Sequence, residues 1–323
     1  MIEKYCPICN SLELKLEFKL KYKPLNYETL QYFSCKNCNY FFRIPCNLFI
    51  DYHTEYVNND FISKSKNLAK NYYNYTKENL KNKKNLLEIG GSLGYFCKII
   101  NENTNINTLN YELSDFSIEY SNSINVKSTN NIDNLEPESF DIITSFHVFE
   151  HIPPNEIILL LEKLINLLKV NGKIIIITPN AKSNKLKLFK SKYVWLAPLE
   201  HIGFLDGKTF KYLLDNIKVT NELNIILKSK TKIPSFFHYP IISFLSNIRN
   251  KSNTTTTHLI EANNKTIENK KSSFKSKIII TLKKAFHLSI LIEKLVFIPF
   301  YFIYDIFNKE HDELVVEITK NAK

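Results

Sequence analysis

The chain is short of glycine and tryptophan, with six and one respectively among 323 residues. Lys, Asn and Ile are abundant along its whole length, so the net charge of +11 reads as a global bias in which Lys stands in for Arg. Such a charge invites an anionic partner. No Arg-rich stripe gathers it onto one segment, however, and the sequence argues against nucleic acid as that partner. The longest apolar run, Leu295 to Tyr304, is shorter than the ~20 residues that span a bilayer. The opening Met-Ile-Glu-Lys-Tyr-Cys-Pro lacks the apolar stretch of a secretion signal. A cytoplasmic protein is expected, one that at most touches a membrane surface. At 44% apolar and 23% charged residues the chain is ordinary for a folded domain, and its length suits one large α/β domain with a smaller module.

Four of the six cysteines fall in two pairs, Cys6-Pro-Ile-Cys9 and Cys35-Lys-Asn-Cys38. A two-residue spacer wraps a turn that presents both sulfurs to one metal, and two such pairs are the signature of a closed structural zinc site. Each pair is followed by Asn (Asn10 and Asn39), which tolerates the left-handed conformation that such a turn needs. The 25 residues between the pairs hold two strand-like runs, Leu12–Leu20 and Thr29–Phe33. Unrelated buried thiols are the alternative, and a disulfide framework does not suit a chain without a secretion signal. Cys46 and Cys97 stand outside the pattern and read as core thiols. Four thiolates would leave the metal no open position for chemistry.

Further on, strands and helices alternate at βαβ spacing, which predicts a mostly parallel sheet covered by helices. A polar amphipathic helix is predicted over residues 60–81. Asn85-Leu-Leu-Glu-Ile reads as a buried strand that enters the turn Gly90-Gly91-Ser92-Leu93-Gly94 and then a helix. Tyr111-Glu112 ends the next strand, with its carboxylate 18 residues after Gly94. A helix from about Asp115 to Ser123, a short strand near Asn125 and the strand Phe140–Ser145 follow. Then come a helix from Pro154 to about Lys169 and the strand Lys173–Asn180. A strand, a glycine loop, a helix N-terminus and a strand-end acid together form the arrangement by which α/β sheets hold an adenosine.

These residues resemble class I S-adenosylmethionine (SAM)-dependent methyltransferases. The likeness rests on Glu88 with Gly90-Gly91-Ser92-Leu93-Gly94, on Glu112, and on the Phe140-Asp141 strand followed by His147-x-x-Glu150-His151. It extends to Val170-Asn-Gly-Lys, Thr178-Pro-Asn180 and Glu200-His-Ile-Gly-Phe-Leu205, covers roughly residues 1–220, and takes in a last strand at 312–319. The closest group is bacterial, carries a four-cysteine N-terminal module and is associated with surface-glycan or small-molecule modification. The resemblance implies a Rossmann-like methyltransferase sheet, mostly parallel, with helices on both faces, an antiparallel last strand and a small zinc-ribbon-like module. It implies SAM held by Glu88, Gly90, Gly91, Ser92, Gly94, Glu112, Leu113 and His147, and structural zinc held by Cys6, Cys9, Cys35 and Cys38. Two departures stand out. Ser92 replaces the usual middle glycine, which a negative φ would permit, and the acid that usually meets the adenine amino group is missing near Thr129 and Asn130.

The chain divides by this reading into a zinc module (1–50), a SAM-binding core (51–230), a polar linker with an apolar helical insertion (231–310) and a final strand (311–323). His151 is the candidate base for a hydroxyl acceptor, with Glu150 orienting it or binding the acceptor and His201 a second candidate. An acceptor that is a sugar, a glycolipid or a small metabolite is expected. An RNA or protein methyltransferase is the alternative within enzymes, and a scaffold that no longer turns over is the alternative outside them. No Asn/Asp-Pro-Pro-Tyr motif for amino-group methylation and no Pro-Cys nucleophile for cytosine stand at the end of the Phe140 strand. Residues 277–307 are apolar and aromatic with interspersed Lys, suited to packing on the domain, on a second subunit, on a lipid-linked acceptor or on a membrane surface.

Overall fold

The computed structural model describes residues 5–21, 29–46, 59–230 and 311–322. Two sheets build it. The first is a four-stranded sheet made from β1 (Leu14–Lys21), β2 (Thr29–Cys35), β3 (Phe41–Ile44) and, from far along the chain, β9 (Gly203–Phe204). All its pairings are antiparallel.

The second sheet carries the site. Its strands in chain order are β4 (Asn85–Ile89), β5 (Asn107–Tyr111), β6 (Ser128–Thr129), β7 (Phe140–Phe146), β8 (Leu168–Pro179), β10 (Leu223–Lys230) and β11 (Glu313–Lys320). In space they run β10-β11-β8-β7-β4-β5-β6. The pairs from β8 through β6 are parallel, and β11 lies antiparallel between β8 and β10. This is the Rossmann-like methyltransferase architecture with an antiparallel last strand.

Strand periodicity decides which helices cover which face, because successive side chains point to opposite sides. Leu86, Ile142, Ile175, Ile177 and Val315 pack with Tyr72 of α1 (Asn59–Thr76) and with Phe96, Cys97 and Ile100 of α2 (Tyr95–Asn103). Their neighbours Leu87, Ile143, Ile174, Ile176 and Val316 pack with Ile157, Leu161 and Leu164 of α4 (Pro154–Leu167) and with Phe210 and Leu213 of α6 (Gly207–Asp215). Each of these fully buried aliphatic side chains contributes about 1.5–3 kcal/mol relative to exposure. Two further helices are α3 (Asp115–Ser123), capped by Ser114, and the short α5 (Asn184–Phe189).

The cysteine-bearing sheet is knitted into this body. Cys6, Cys35, Cys38, Tyr40 and Phe42 belong to the same buried cluster as α4 and α6. Asp206 caps α6 by accepting from the Thr209 amide at 2.8 Å, and its other oxygen accepts from Asn39 Nδ2 at 2.9 Å. Thr209 Oγ1 donates to the Cys38 carbonyl at 2.9 Å. Arg43, fully buried, donates from Nε to the His201 carbonyl at 3.2 Å.

Local details differ from the sequence reading in three places. Asn125 is a left-handed turn (φ 63°), and the strand expected there pairs three residues later. The predicted helix over 60–81 closes at Thr76 and continues as a tighter turn over Lys77–Leu80. β8 begins at Leu168, so Asn171 (φ 62°) and Gly172 lie within the strand rather than before it. The segments 231–310, including the linker at 251–276 and the apolar stretch at 277–307, lie outside the described residues. Among the described residues no helix is long and apolar enough to cross a membrane.

Candidate active site

Parallel strands deliver their loops to one edge of the sheet, and ligands bind there. The β4 loop runs Gly90 to Gly94, and each residue has its own constraint. Gly90 has φ +67°, and a Cβ on it would lie 2.5 Å from Val148 Cγ2. A Cβ on Gly91 would sit 2.3 Å from Asn110 Oδ1 and 2.5 Å from Glu88 Oε2. Gly94 closes the loop with φ +76° as the N-cap of α2.

Ser92 corrects an expectation. Its φ is +49°, not negative. A left-handed backbone costs a residue with a Cβ roughly 1–2 kcal/mol. The loop offsets this through two bonds: the Ser92 amide donates to Glu112 Oε2 at 2.8 Å, and Asn110 Nδ2 donates to the Ser92 carbonyl at 3.3 Å.

Two clefts meet at Gly90. One, of about 330 Å³, is lined by Glu112, Leu113, Ile132, Val148, Ile152 and Leu160 among others. The second, of about 510 Å³, is lined by Glu88, Gly91, Ser92, Tyr72, His147 and Trp195 among others. The structure thus gathers Glu88, Gly90, Gly91, Ser92, Glu112, Leu113 and His147 around one trough, with Gly94 behind it. Glu112 is already engaged there, since its Oε1 accepts from the amides of Leu113 at 2.8 Å and Ser114 at 3.2 Å.

Glu88 lies at the floor of the larger cleft, 4% exposed. Burial pushes its carboxyl up to about 7, only partly countered by the hydrogen bond from Cys97 Sγ at 3.2 Å. Beyond β7, His147 adopts φ 57° and lies between two buried carboxylates. Its Nδ1 is 3.1 Å from Glu150 Oε1, and its Nε2 is 2.9 Å from Glu313 Oε1. The ring stacks on Trp195 with centroids 5.0 Å apart. Glu150 therefore orients His147, not His151 as its position next to that residue suggested. Its Oε2 accepts from Thr178 Oγ1 at 3.0 Å. Burial alone would raise Glu150, yet the hydrogen bond and charge of His147, with the charges of His201 and His151, hold it at about 2.

His151 and His201 face each other edge to face, with ring centroids 4.6 Å apart. They do not line either cleft; they lie beside Glu150, one step removed from His147. Burial pushes His201 down to about 4 against the raising influence of the Glu150 charge.

Cys6, Cys9, Cys35 and Cys38 converge elsewhere, with one sulfur from each within 4.8 Å of the rest. The sulfurs of Cys6 and Cys38, and those of Cys9 and Cys35, are 3.5 Å apart. Asn10 (φ 56°) and Asn39 (φ 66°) both take the left-handed turn expected after a cysteine knuckle. Sulfurs ~3.8 Å apart would surround a zinc ion at ~2.3 Å tetrahedrally, so the donor set fits that metal after small adjustment. Cys97 is buried against Glu88, and Cys46 donates to the Arg43 carbonyl.

The model of a methyltransferase-domain family matches residues 61–221, the span from α1 to the end of the β8–α6 layer. Residues 61–221 form a methyltransferase domain of the class I, SAM-dependent type. Similar solved structures include a SAM-dependent methyltransferase of Archaeoglobus fulgidus, 15% identical over 82% of this chain and 100% of that one, with a TM-score of 0.47. Phosphoethanolamine N-methyltransferase 2 of Haemonchus contortus, solved with S-adenosylhomocysteine, is 13% identical over 78% of this chain and 53% of that one, with a TM-score of 0.46. A possible histamine N-methyltransferase of Thermotoga maritima is 13% identical over 81% of this chain and 97% of that one, with a TM-score of 0.44. Comparison with curated proteins finds no match.

The methyltransferase trough suits SAM on its own chemistry. Gly90 and Gly91 leave backbone where any side chain would collide, and Asn110 Oδ1, buried beside Gly91, has no hydrogen-bond partner. Lys64, Asn67, Asn71 and Tyr72 of α1, with Trp195, form walls that the sequence reading missed. Only the rarity of Trp195, the single tryptophan, marked any of them.

Glu88 generates a pH prediction. Its folded value lies above its ordinary 4.5, so the folded state holds an extra proton between about 4.5 and about 7. Stability from that proton is present below this window and lost as pH rises through it. Urea unfolding at pH 5 and pH 8 should show Glu88→Gln gaining ~1–3 kcal/mol on the parent at the higher pH. A constant difference at both values would contradict the assignment.

Proposed function

We propose that this methyltransferase carries a methyl group from SAM to a hydroxyl of a sugar, a glycolipid or a small metabolite in the cytoplasm. The observation that carries the reading is the trough of two clefts joined at Gly90, with Glu112 on one side and Glu88 and His147 on the other. SAM supplies the electrophilic methyl group on a sulfonium, so the protein mainly has to align the acceptor. Glu112 and Leu113 would hold the ribose end, with Glu112 giving up its bond to the Ser92 amide or sharing it. Glu88, the Gly90–Gly94 loop and His147 would hold the methionine end.

A hydroxyl has to lose its proton as it attacks, and a positioned base is worth about 10²–10⁴-fold. His151, half-buried and hydrogen-bonded to the Glu200 carbonyl, is the base in this reading, with His201 behind it. Glu150 serves by fixing His147 and the loop that carries His201. The four cysteines hold a zinc ion whose role is structural, since four thiolates complete its coordination.

Two experiments test this. S-Adenosylhomocysteine release should depend on sugar-nucleotide or glycolipid acceptors, and His151→Ala should lower kcat by about 10²–10⁴-fold. Turnover on RNA or protein acceptors alone, or an unaffected His151→Ala, would refute the reading. For the metal, elemental analysis should find one zinc per chain, lost in Cys35→Ser together with a lower melting temperature. A metal-free, equally stable parent protein would refute the zinc assignment.

A further inference from the structure

Glu150, His151 and His201 form a second constellation of metal-ligating type. One ligand atom from each lies within 4.8 Å of the other two. The surroundings of the two imidazoles are what distinguish it from a chance gathering. His151 Nδ1 meets the Glu200 carbonyl at 3.1 Å, and His201 Nδ1 meets the Trp195 carbonyl at 2.6 Å. A carbonyl only accepts, so each Nδ1 carries the proton and the lone pair of each neutral ring falls on Nε2. Metal-bound histidines characteristically anchor their remaining N–H on such an oxygen.

The ring geometry agrees. The two imidazoles cross at 80° with centroids 4.6 Å apart. Two imidazoles bound at right angles to one ion at ~2.1 Å have centres roughly 4.5–5 Å apart. Glu150 supplies the anion. Its two oxygens already meet His147 and Thr178, and each carboxylate oxygen has a second lone pair for an ion. The set is also incomplete. Glu150 and His201 are buried, His151 is half-buried, and three protein ligands leave further coordination positions on the ion.

The geometry points to a divalent transition-metal site made of Glu150, His151 and His201, distinct from the cysteine site, whose ion takes the acceptor hydroxyl. Binding of the ion stands on the geometry alone; its use rests on the hydroxyl acceptor proposed above. Two imidazoles and a carboxylate suit the Mn²⁺ to Zn²⁺ series. The ion acidifies the bound hydroxyl, whose proton passes to water. The resulting oxygen anion forms the new C–O bond as the C–S bond of the sulfonium breaks, leaving neutral S-adenosylhomocysteine. His151 then serves as a ligand, and the ion takes over the work of the base.

The test uses full-length protein dialysed against a mild chelator, which leaves tightly held zinc in place, titrated with Mn²⁺ by calorimetry and electron paramagnetic resonance. Mn²⁺ is chosen because thiolates do not favour it. One Mn²⁺ per chain is expected, with affinity reduced at least tenfold in His201→Asn and in His151→Ala while zinc content stays unchanged. His151 is half-buried, so its variant keeps the test valid if the His201 variant folds poorly. No Mn²⁺ binding, or equal binding by parent and His151→Ala, overturns the site. Full methyl transfer by Mn²⁺-free protein overturns the ion's role and leaves the hydroxyl reading intact. Mn²⁺ bound as expected, without methyl transfer to any hydroxyl acceptor, sinks the hydroxyl reading and leaves the site standing.

Discussion

A carboxylate without access to solvent must be partnered on every side, because an unpaired charge there costs several kcal/mol. Glu150 meets that requirement by tying together three parts of the molecule. Its side chain holds His147 at the end of β7 and Thr178 of β8. Its backbone carbonyl accepts from the amides of Ile202 and Gly203. Those two bonds fix the segment that presents Trp195 and His201 and that adds β9 to the cysteine-bearing sheet. The knuckles therefore bear on the cleft through a short chain of contacts: Cys38 and Asn39 to α6, Arg43 to His201, and Trp195 to His147. A stable cysteine sheet would keep the acceptor side of the trough in shape without touching substrate.

The scarcity of glycine is the second constraint. Three of the six glycines stand in the β4 loop, where a Cβ would collide or φ is positive. Elsewhere among the described residues asparagine fills five of the left-handed positions, at Asn10, Asn39, Asn82, Asn125 and Asn171. Asn and Asp enter that region more readily than other residues with a Cβ. Ser92, like Glu138, His147, Lys190 and Ala197, takes such a φ without being asparagine, and its strain is held by hydrogen bonds to Glu112 and Asn110 rather than avoided. That coupling ties the loop conformation to the acid that would meet the ribose.

Features that depend on neighbours in sequence were legible before the fold was known. The continuous apolar runs at Leu86-Leu87 and Ile174-Ile-Ile-Ile177, the cysteine spacing with its trailing asparagines, and the glycine loop all report local geometry. Features set by distant contacts were not legible. Glu150 adjoins His151 in sequence but turns to His147, and His147 finds Glu313 across 166 residues. The β3–β9 pairing and the α1 wall of the larger cleft likewise carry no local signal. A two-residue strand such as β9 has too little pattern to be read at all.

The trough joined at Gly90 is expected to bind SAM through Glu112. Calorimetric titration of SAM and S-adenosylhomocysteine into the purified protein and into Glu112→Ala tests it most directly. Micromolar binding by the parent protein is expected, with at least a tenfold loss in the variant and the fold unchanged by circular dichroism. Absence of binding by folded parent protein, or equal affinity in Glu112→Ala, would contradict it.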